Sequence, residues 1–196
     1  MPASPKKTMD IREKAVKAAL ALAARDGWGR VTLQAVARHA KISLAQLHEH
    51  FEDRGDILAA YERMIDRRVL ENTGEIGEDA NPRESLFDII MERFDALNED
   101  REALIAILDH VKCDPRQMAI SMPHLARSMS WMLEAAHIDT TGLRGAAHII
   151  GLTSVYLVTL KTWREDESPD MSKTMAALDR NLGRAEQLGN TLGLIG

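Results

Sequence analysis

Residues 32–51, TLQAVARHAKISLAQLHEHF, contain two short helical patterns separated by a turn. Thr32 is a suitable N-cap for the first helix, because its hydroxyl can accept a hydrogen bond from a free backbone N–H. Lys41 and Ile42 form the predicted turn, and Ser43 caps the second helix. The apolar positions at helical spacing are Leu33, Val36, Ala37 and Ala40 in the first helix and Leu44, Leu47 and Phe51 in the second. The pattern predicts a helix-turn-helix, whose second helix enters the DNA major groove; the alternative is an ordinary helical hairpin.

The composition predicts an all-α protein of about nine helices. Of the 196 residues, 45% are hydrophobic and 28% are charged, which is typical of globular proteins. Aromatic residues make up only 4%, and alternating runs of β-branched residues are absent, so we expect a helical, aliphatic core.

Neither catalysis nor metal binding is indicated by the sequence. Cys113 is the only cysteine, which excludes an intramolecular disulfide and a cysteine metal cluster. No glycine-rich phosphate loop or nucleophile elbow is present. We therefore expect a non-enzyme without a cofactor or a metal.

The termini and the apolar stretches predict a cytoplasmic protein without an integral membrane segment. The start, MPASPKKT, lacks an apolar signal core. The longest apolar stretch, residues 145–160, contains His148 and is shorter than the roughly 18 residues that a membrane span needs.

The charge is distributed unevenly along the chain. Residues 1–70 contain 13 Lys and Arg against 9 Asp and Glu, whereas the remainder contains 12 against 21. A mildly basic N-terminal part on an acidic body fits a DNA-binding module joined to a domain that avoids DNA. Chance asymmetry is the alternative.

The chain divides into three predicted parts. Residues 10–52 form a three-helix helix-turn-helix domain, residues 53–72 a connecting helix, and residues 81–196 a helical ligand-binding and dimerisation domain. Asp10 and Glu13 predict a capping box for the first helix, and Pro123 predicts a kink or break in the seventh. The ninth helix is expected to begin at Ser168-Pro169.

The last two long helices are the predicted homodimer interface. The eighth, residues 141–164, is apolar almost all round, as expected of a helix that is buried on most sides. The ninth has an apolar seam that requires a partner helix, formed by Met171, Met175, Leu178, Leu182, Ala185, Gly189 and Leu192. The alternative is that the same surface covers the molecule's own core.

Residues 11–70 resemble the TetR family of bacterial transcriptional regulators. The matching segments are AALALAARDGWGRVTLQAVARHAKIS and LAQLHEHF, followed by a charged break and an apolar helix. The resemblance implies an all-helical homodimer that binds a palindromic double-stranded DNA operator and is released by a small apolar effector. By position it implies phosphate contacts from Thr32, Ser43 and Arg54, and base or phosphate contacts from Gln46 and His48. The complete set of predicted DNA-binding residues is Thr32, Ser43, Leu44, Gln46, His48, His50 and Arg54.

Three positions depart from the pattern of that family. Lys41 replaces the usual turn glycine, Leu44 replaces a usual lysine, and Glu49 adds a negative charge to the second helix. Each lost phosphate contact removes part of the salt-dependent affinity. The departures leave two possibilities, a weak or specialised DNA binder and a family fold that no longer binds DNA.

The C-terminal stretch VYLVTLKTWREDESPDMSKTMAALDRNLGRAEQLG is similar to the end of ubiquinone-biosynthesis accessory proteins. Those are lipid-binding proteins with a TetR-like fold, and this resemblance implies a lipid in helices five to eight and no DNA binding. For either ligand the predicted pocket residues are His110, Met118, Trp131 and Trp163.

Overall fold

A computed structural model of the chain describes residues 10–77 and 79–191. In this part of the chain there are nine α-helices, one 3-10 helix and no strand, which confirms the all-α prediction. The helices are α1 (Ile11–Asp26), the 3-10 helix (Trp28–Arg30), α2 (Leu33–Ala40), α3 (Leu44–His48), α4 (Arg54–Thr73), α5 (Pro82–Asn98), α6 (Arg101–Val111), α7 (Pro115–Ala135), α8 (Gly142–Glu165) and α9 (Ser172–Thr191). Leu192, the last predicted seam residue of the ninth helix, lies outside the described residues.

The N-terminal unit consists of residues 10–61 and 100–120. Its centre is α1, which packs against α2, α3, α6 and the 3-10 helix. Small residues face inward from α1, so the neighbouring helices can approach closely. The buried residues of this unit include Ala15, Ala18, Ala19, Leu22, Trp28, Val31, Val36, Leu47, Phe51 and Ile107.

The C-terminal unit consists of residues 62–99 and 121–191, apart from residue 78. In it α9 packs against α8 and α5. Its core contains a stack of rings in which the centroid of Phe94 lies 5.4 Å from that of Tyr156 and 6.2 Å from that of Trp163. Aromatic pairs at such distances prefer offset or edge-on arrangements and add to the free energy of burial.

The helix α6 belongs to the N-terminal unit, whereas the predicted domain division assigned it to the C-terminal domain. The sequence analysis placed it in the domain of residues 81–196, whereas it packs against α1 and belongs to the N-terminal unit. Its buried residues, Ala103 and Ile107, are on the apolar side that an amphipathic helix presents to a core. The assignment of ligand binding and dimerisation to residues 81–196 stays a prediction.

The structure corrects one predicted cap, one predicted break and one predicted helix start. The Asp10 side chain makes no capping hydrogen bond, although its carbonyl accepts from the Lys14 N–H at 3.0 Å. Pro123 lies inside a continuous α7, so the predicted break is absent there, and the predicted kink stays a prediction. The helix α9 begins at Ser172 rather than at Ser168, since Met171 has a left-handed backbone (φ 51°).

In the single chain α8 is not buried on most sides, so the alternative that its apolar surface covers the molecule's own core does not account for all of that surface. Large apolar side chains remain exposed along this helix, with Leu143 at 92% and Ile150 at 67%. By length and composition alone α8 could cross a membrane, a test that core helices of soluble proteins also pass. Packing within the single chain therefore does not explain why this face of α8 is apolar.

Candidate nucleic-acid interface

The turn between α2 and α3 is a Schellman motif built on a lysine. Lys41 adopts the left-handed conformation, with φ 57° and ψ 41°. The Ile42 N–H donates to the Ala37 carbonyl at 3.0 Å, and the Lys41 N–H donates to the Arg38 carbonyl at 3.2 Å. These two bonds satisfy carbonyls that the end of a helix otherwise leaves free. The lysine thus occupies a position that favours glycine, as its replacement of the usual glycine indicated.

Both helices of the motif begin with the predicted side-chain caps. The Ala35 N–H donates to the Thr32 hydroxyl at 3.1 Å. At α3 the Gln46 N–H donates to the Ser43 hydroxyl at 3.0 Å, and the Ser43 N–H donates to Gln46 Oε1 at 2.9 Å. This reciprocal pair is a capping box, which satisfies two backbone donors at once. The caps fix where α3 begins and in which direction it points.

The helix α3 has one buried and one exposed face. Leu47 is 1% exposed and Phe51 is buried in the core of the N-terminal unit, whereas Leu44, Gln46 and His48 are exposed. The predicted second helix continues to Phe51, but α3 ends at His48 and the chain then turns. Phe51 still reaches the core because its N–H donates to the Leu47 carbonyl at 3.1 Å.

The structure brings four of the predicted DNA-binding residues together on α3 and its cap: Ser43, Leu44, Gln46 and His48. Thr32 lies at the start of α2. His50 follows α3, where its half-buried ring packs edge-on against Phe51 with centroids 6.5 Å apart.

Arg54 makes contacts that the sequence did not predict. Its Nη1 donates to the carbonyls of Trp28 at 3.0 Å and of Val31 at 2.8 Å. Its guanidinium carbon lies 5.5 Å from the centroid of the Trp28 ring, within the range of a cation–π interaction. Arg54 therefore links the start of α4 to the segment before α2, and a phosphate contact is open only to its other nitrogens.

The four predicted pocket residues divide between the two units. His110 and Met118 belong to the N-terminal unit, where His110 Nδ1 would lie 3.2 Å from a Cβ atom placed on Gly29. Trp163 is fully buried in the ring stack of the C-terminal unit, so it is a core residue. Trp131 is 56% exposed. It lines an open depression of about 410 Å³ together with Arg63, Asp66, Arg67, Leu70 and Glu71.

A buried polar network in the C-terminal unit escaped the sequence analysis. Arg93 on α5 is 2% exposed, and its Nη1 donates to Asp66 Oδ1 on α4. The Ser128 hydroxyl on α7 donates to the same oxygen at 2.5 Å, and the Arg93 guanidinium carbon lies 5.4 Å from the centroid of the Tyr156 ring on α8. A signal was present, because Arg93 is three and four residues after Ile90 and Ile89 and so lies on the apolar face of its helix.

Glu62 on α4 belongs to the surroundings of this network. Burial raises its pKa to about 7, with the Asp66 carboxylate acting in the same direction and Arg93 and Arg63 opposing it. Glu62 and Asp66 are four residues apart and therefore lie on one face of α4. This face thus holds two carboxyl groups near one buried guanidinium.

Comparison with known proteins identifies the N-terminal motif. Residues 15–61 match the family model of bacterial regulatory proteins of the tetR family. A comparison with curated protein sequences gives no match.

Solved structures extend the similarity over most of the chain. The crystal structure of a TetR transcriptional regulator from Nitrosomonas europaea is similar with a TM-score of 0.72 at 25% identity, covering 91% of this chain and 99% of that one. A TetR transcriptional regulator from Rhodococcus sp. RHA1 has a TM-score of 0.66 at 15% identity, with coverages of 89% and 95%. Residues 15–61 therefore form the N-terminal domain of the TetR family of bacterial regulatory proteins, and the chain has the fold of a TetR-family transcriptional regulator.

Proposed function

We propose that this protein is a TetR-type transcriptional regulator that binds a palindromic DNA operator as a homodimer and is released by a small apolar effector. The observation that carries the proposal is the geometry of α3. Its capping box and the buried Leu47 hold the helix in place, while Leu44, Gln46 and His48 are exposed. An exposed second helix with a fixed start is what a helix-turn-helix uses to enter the major groove.

The capping hydroxyls support a phosphate-binding role as well. In the caps Thr32 and Ser43 act as acceptors, so the proton of each hydroxyl is still available to a phosphate oxygen. Arg38 and Lys41 are exposed on either side of the end of α2 and add positive charge there. Arg38 and Lys41 are not among the residues predicted to bind DNA, although their charge and their position beside the turn indicate a phosphate contact.

The exposed face of α8 supports a homodimer. Leu143, Ile150 and Leu157 are seven residues apart and are all exposed in the single chain. A seven-residue apolar repeat is the pattern by which helices pack against each other in bundles. A homodimer carries two α3 helices, and a palindromic operator offers them two half-sites one helical turn, about 34 Å, apart.

The proposed effector acts on the C-terminal unit. Of the predicted pocket residues, Trp131 combines an exposed aromatic face with a neighbouring depression of about 410 Å³. A ligand there shifts the protein away from the DNA-bound state only by the difference between its affinities for the two states.

The test is binding to duplex fragments from the upstream region of the gene itself, at 50 and 200 mM salt, with and without excess random duplex. We expect a complex that survives the competitor and weakens steeply with salt. Lys41→Gln removes one cation and should reduce the salt slope by about one. Lys173→Gln on α9 is the matched control and should leave the slope unchanged.

Two outcomes contradict the proposal. A monomer in light scattering would rule out the dimeric mechanism. Complexes that disappear with competitor at both salt concentrations would favour the lipid-binding alternative, and a lipid that co-purifies with the protein would then be the observation to seek.

A further inference from the structure

The capping box limits what Gln46 can offer to DNA. A backbone N–H only donates, so the atom that accepts from Ser43 at 2.9 Å is the amide oxygen of Gln46. A glutamine that contacts adenine through both N6 and N7 needs this oxygen as an acceptor. With one lone pair of the oxygen engaged by the Ser43 N–H, the cap fixes the orientation of the Gln46 amide, and the two N–H donors of that amide take no part in the capping box.

Leu44 is the large side chain that α3 exposes at its start. It is the first residue of the helix and is 52% exposed, whereas Leu47 one turn later is 1% exposed. The N-terminal residues of the second helix are those that contact base edges in a helix-turn-helix. Leucine has no hydrogen-bonding group, and the apolar group that base pairs present in the major groove is the C5-methyl of thymine.

We infer that α3 selects thymine in each operator half-site through contact of the Leu44 side chain with the C5-methyl group, an inference that rests on the proposed DNA binding. Gln46 serves this contact as a positioning residue, because its oxygen holds the first turn of α3 through Ser43. Its amide nitrogen donates to an acceptor such as a purine N7, thymine O4 or a phosphate oxygen. The residue that breaks the lysine pattern of the family thereby becomes a determinant of specificity.

The experiment begins with selection of binding sites from a library of 30-base-pair random duplexes. In the selected duplex each thymine is then replaced by deoxyuridine, which removes only the methyl group. We expect one position per half-site at which the replacement weakens binding about fourfold, the factor for burying one methyl group, and about sixteenfold when both half-sites are changed. Leu44→Ala should bind the thymine and uracil duplexes equally.

The controls separate the inference from the proposed function. Ile120→Ala truncates an apolar side chain of similar exposure (46%) outside the helix-turn-helix and should keep the preference for thymine. Circular dichroism melts should be unchanged for Leu44→Ala, since the side chain is not in the core. A library without enrichment would overturn the proposed function and this inference with it. An enriched site bound equally with thymine and uracil, or a preference that survives in Leu44→Ala, would overturn the inference alone.

Discussion

In the helix-turn-helix the capping hydrogen bonds of Thr32 and Ser43 span three residues, whereas in the buried network of the C-terminal unit the bonds span 27 residues from Asp66 to Arg93 and 62 residues from Asp66 to Ser128. The first set lies at the surface, and the second is buried. A surface bond that is lost is replaced by water. A buried one leaves its partner without solvation, so similar bonds have different energetic consequences.

The largest expected effect concerns the buried pair. Arg93→Met should lower the free energy of unfolding by about 3–5 kcal/mol, because it leaves the Asp66 carboxylate buried without its cation. Urea unfolding followed by circular dichroism measures the change. Arg67→Met is the matched control, since Arg67 and Glu71 form an ion pair whose side chains are 76% and 61% exposed. This control should cost less than about 0.5 kcal/mol.

A double variant sharpens that result. Asp66→Leu combined with Arg93→Met removes both charges and should recover most of the lost stability, because the desolvation of both groups is no longer required. If Arg93→Met were no more destabilising than Arg67→Met, burial of an ion pair would not have the energetic consequence that its loss of solvation implies.

The same contrast explains what the sequence could predict. The caps at Thr32 and Ser43, the turn at Lys41 and the apolar positions of α2 and α3 all follow from residues within one helical turn of each other, and the structure contains them. Local rules also placed the start of α5, where Asn81 accepts from the Arg83 N–H at 2.9 Å.

Long-range contacts account for the features that the sequence did not predict. Neither the ion pair of Arg93 nor the packing of α6 on α1 is encoded by neighbouring residues. Trp163 and Trp131 have the same side chain, yet one is buried in the ring stack and the other is exposed, because only the tertiary packing distinguishes them. At the start of α3 the sequence predicts the Ser43 cap, but it does not predict that the amide oxygen of Gln46 accepts from the Ser43 N–H.

The next largest expected effect is a dependence of the free energy of unfolding on pH, which arises from Glu62 beside the buried network. Burial raises the pKa of Glu62 from 4.5 to about 7 in the folded protein. The folded state therefore binds this proton more tightly than the unfolded state. The stabilisation is fully present below about pH 4.5 and is lost as the pH rises through 7.

We expect Glu62→Gln to flatten the pH dependence of the free energy of unfolding between pH 5 and 8 by about 1–3 kcal/mol relative to wild type. Urea titrations at each pH measure it. Glu49→Gln, at an exposed carboxyl after α3, is the control and should leave the wild-type curve unchanged. Parallel curves for wild type and Glu62→Gln would show that Glu62 does not titrate in this range.

The smallest expected effect is at Lys41 in the helix-turn-helix, where one substitution should raise the stability of the fold and weaken DNA binding. Lys41 has φ 57°, a conformation in which a side chain is disfavoured relative to glycine. Lys41→Gly should therefore raise the free energy of unfolding by about 0.5–1 kcal/mol, with the gain reduced by the greater freedom of glycine in the unfolded chain. The same change removes a cation, so operator binding should lose about one unit of salt slope.

Comparison with Lys41→Gln distinguishes the two causes, because glutamine removes the charge but keeps the side chain in the left-handed conformation. Both variants should lose the same salt dependence, whereas only the glycine variant should melt at a higher temperature. That result would explain by its charge why position 41 is a lysine, although glycine would make the turn more stable. If glycine binds the operator as well as lysine does, the strain at Lys41 has no function in DNA binding, and the phosphate contacts must come from the capping hydroxyls, Arg38 and Arg54.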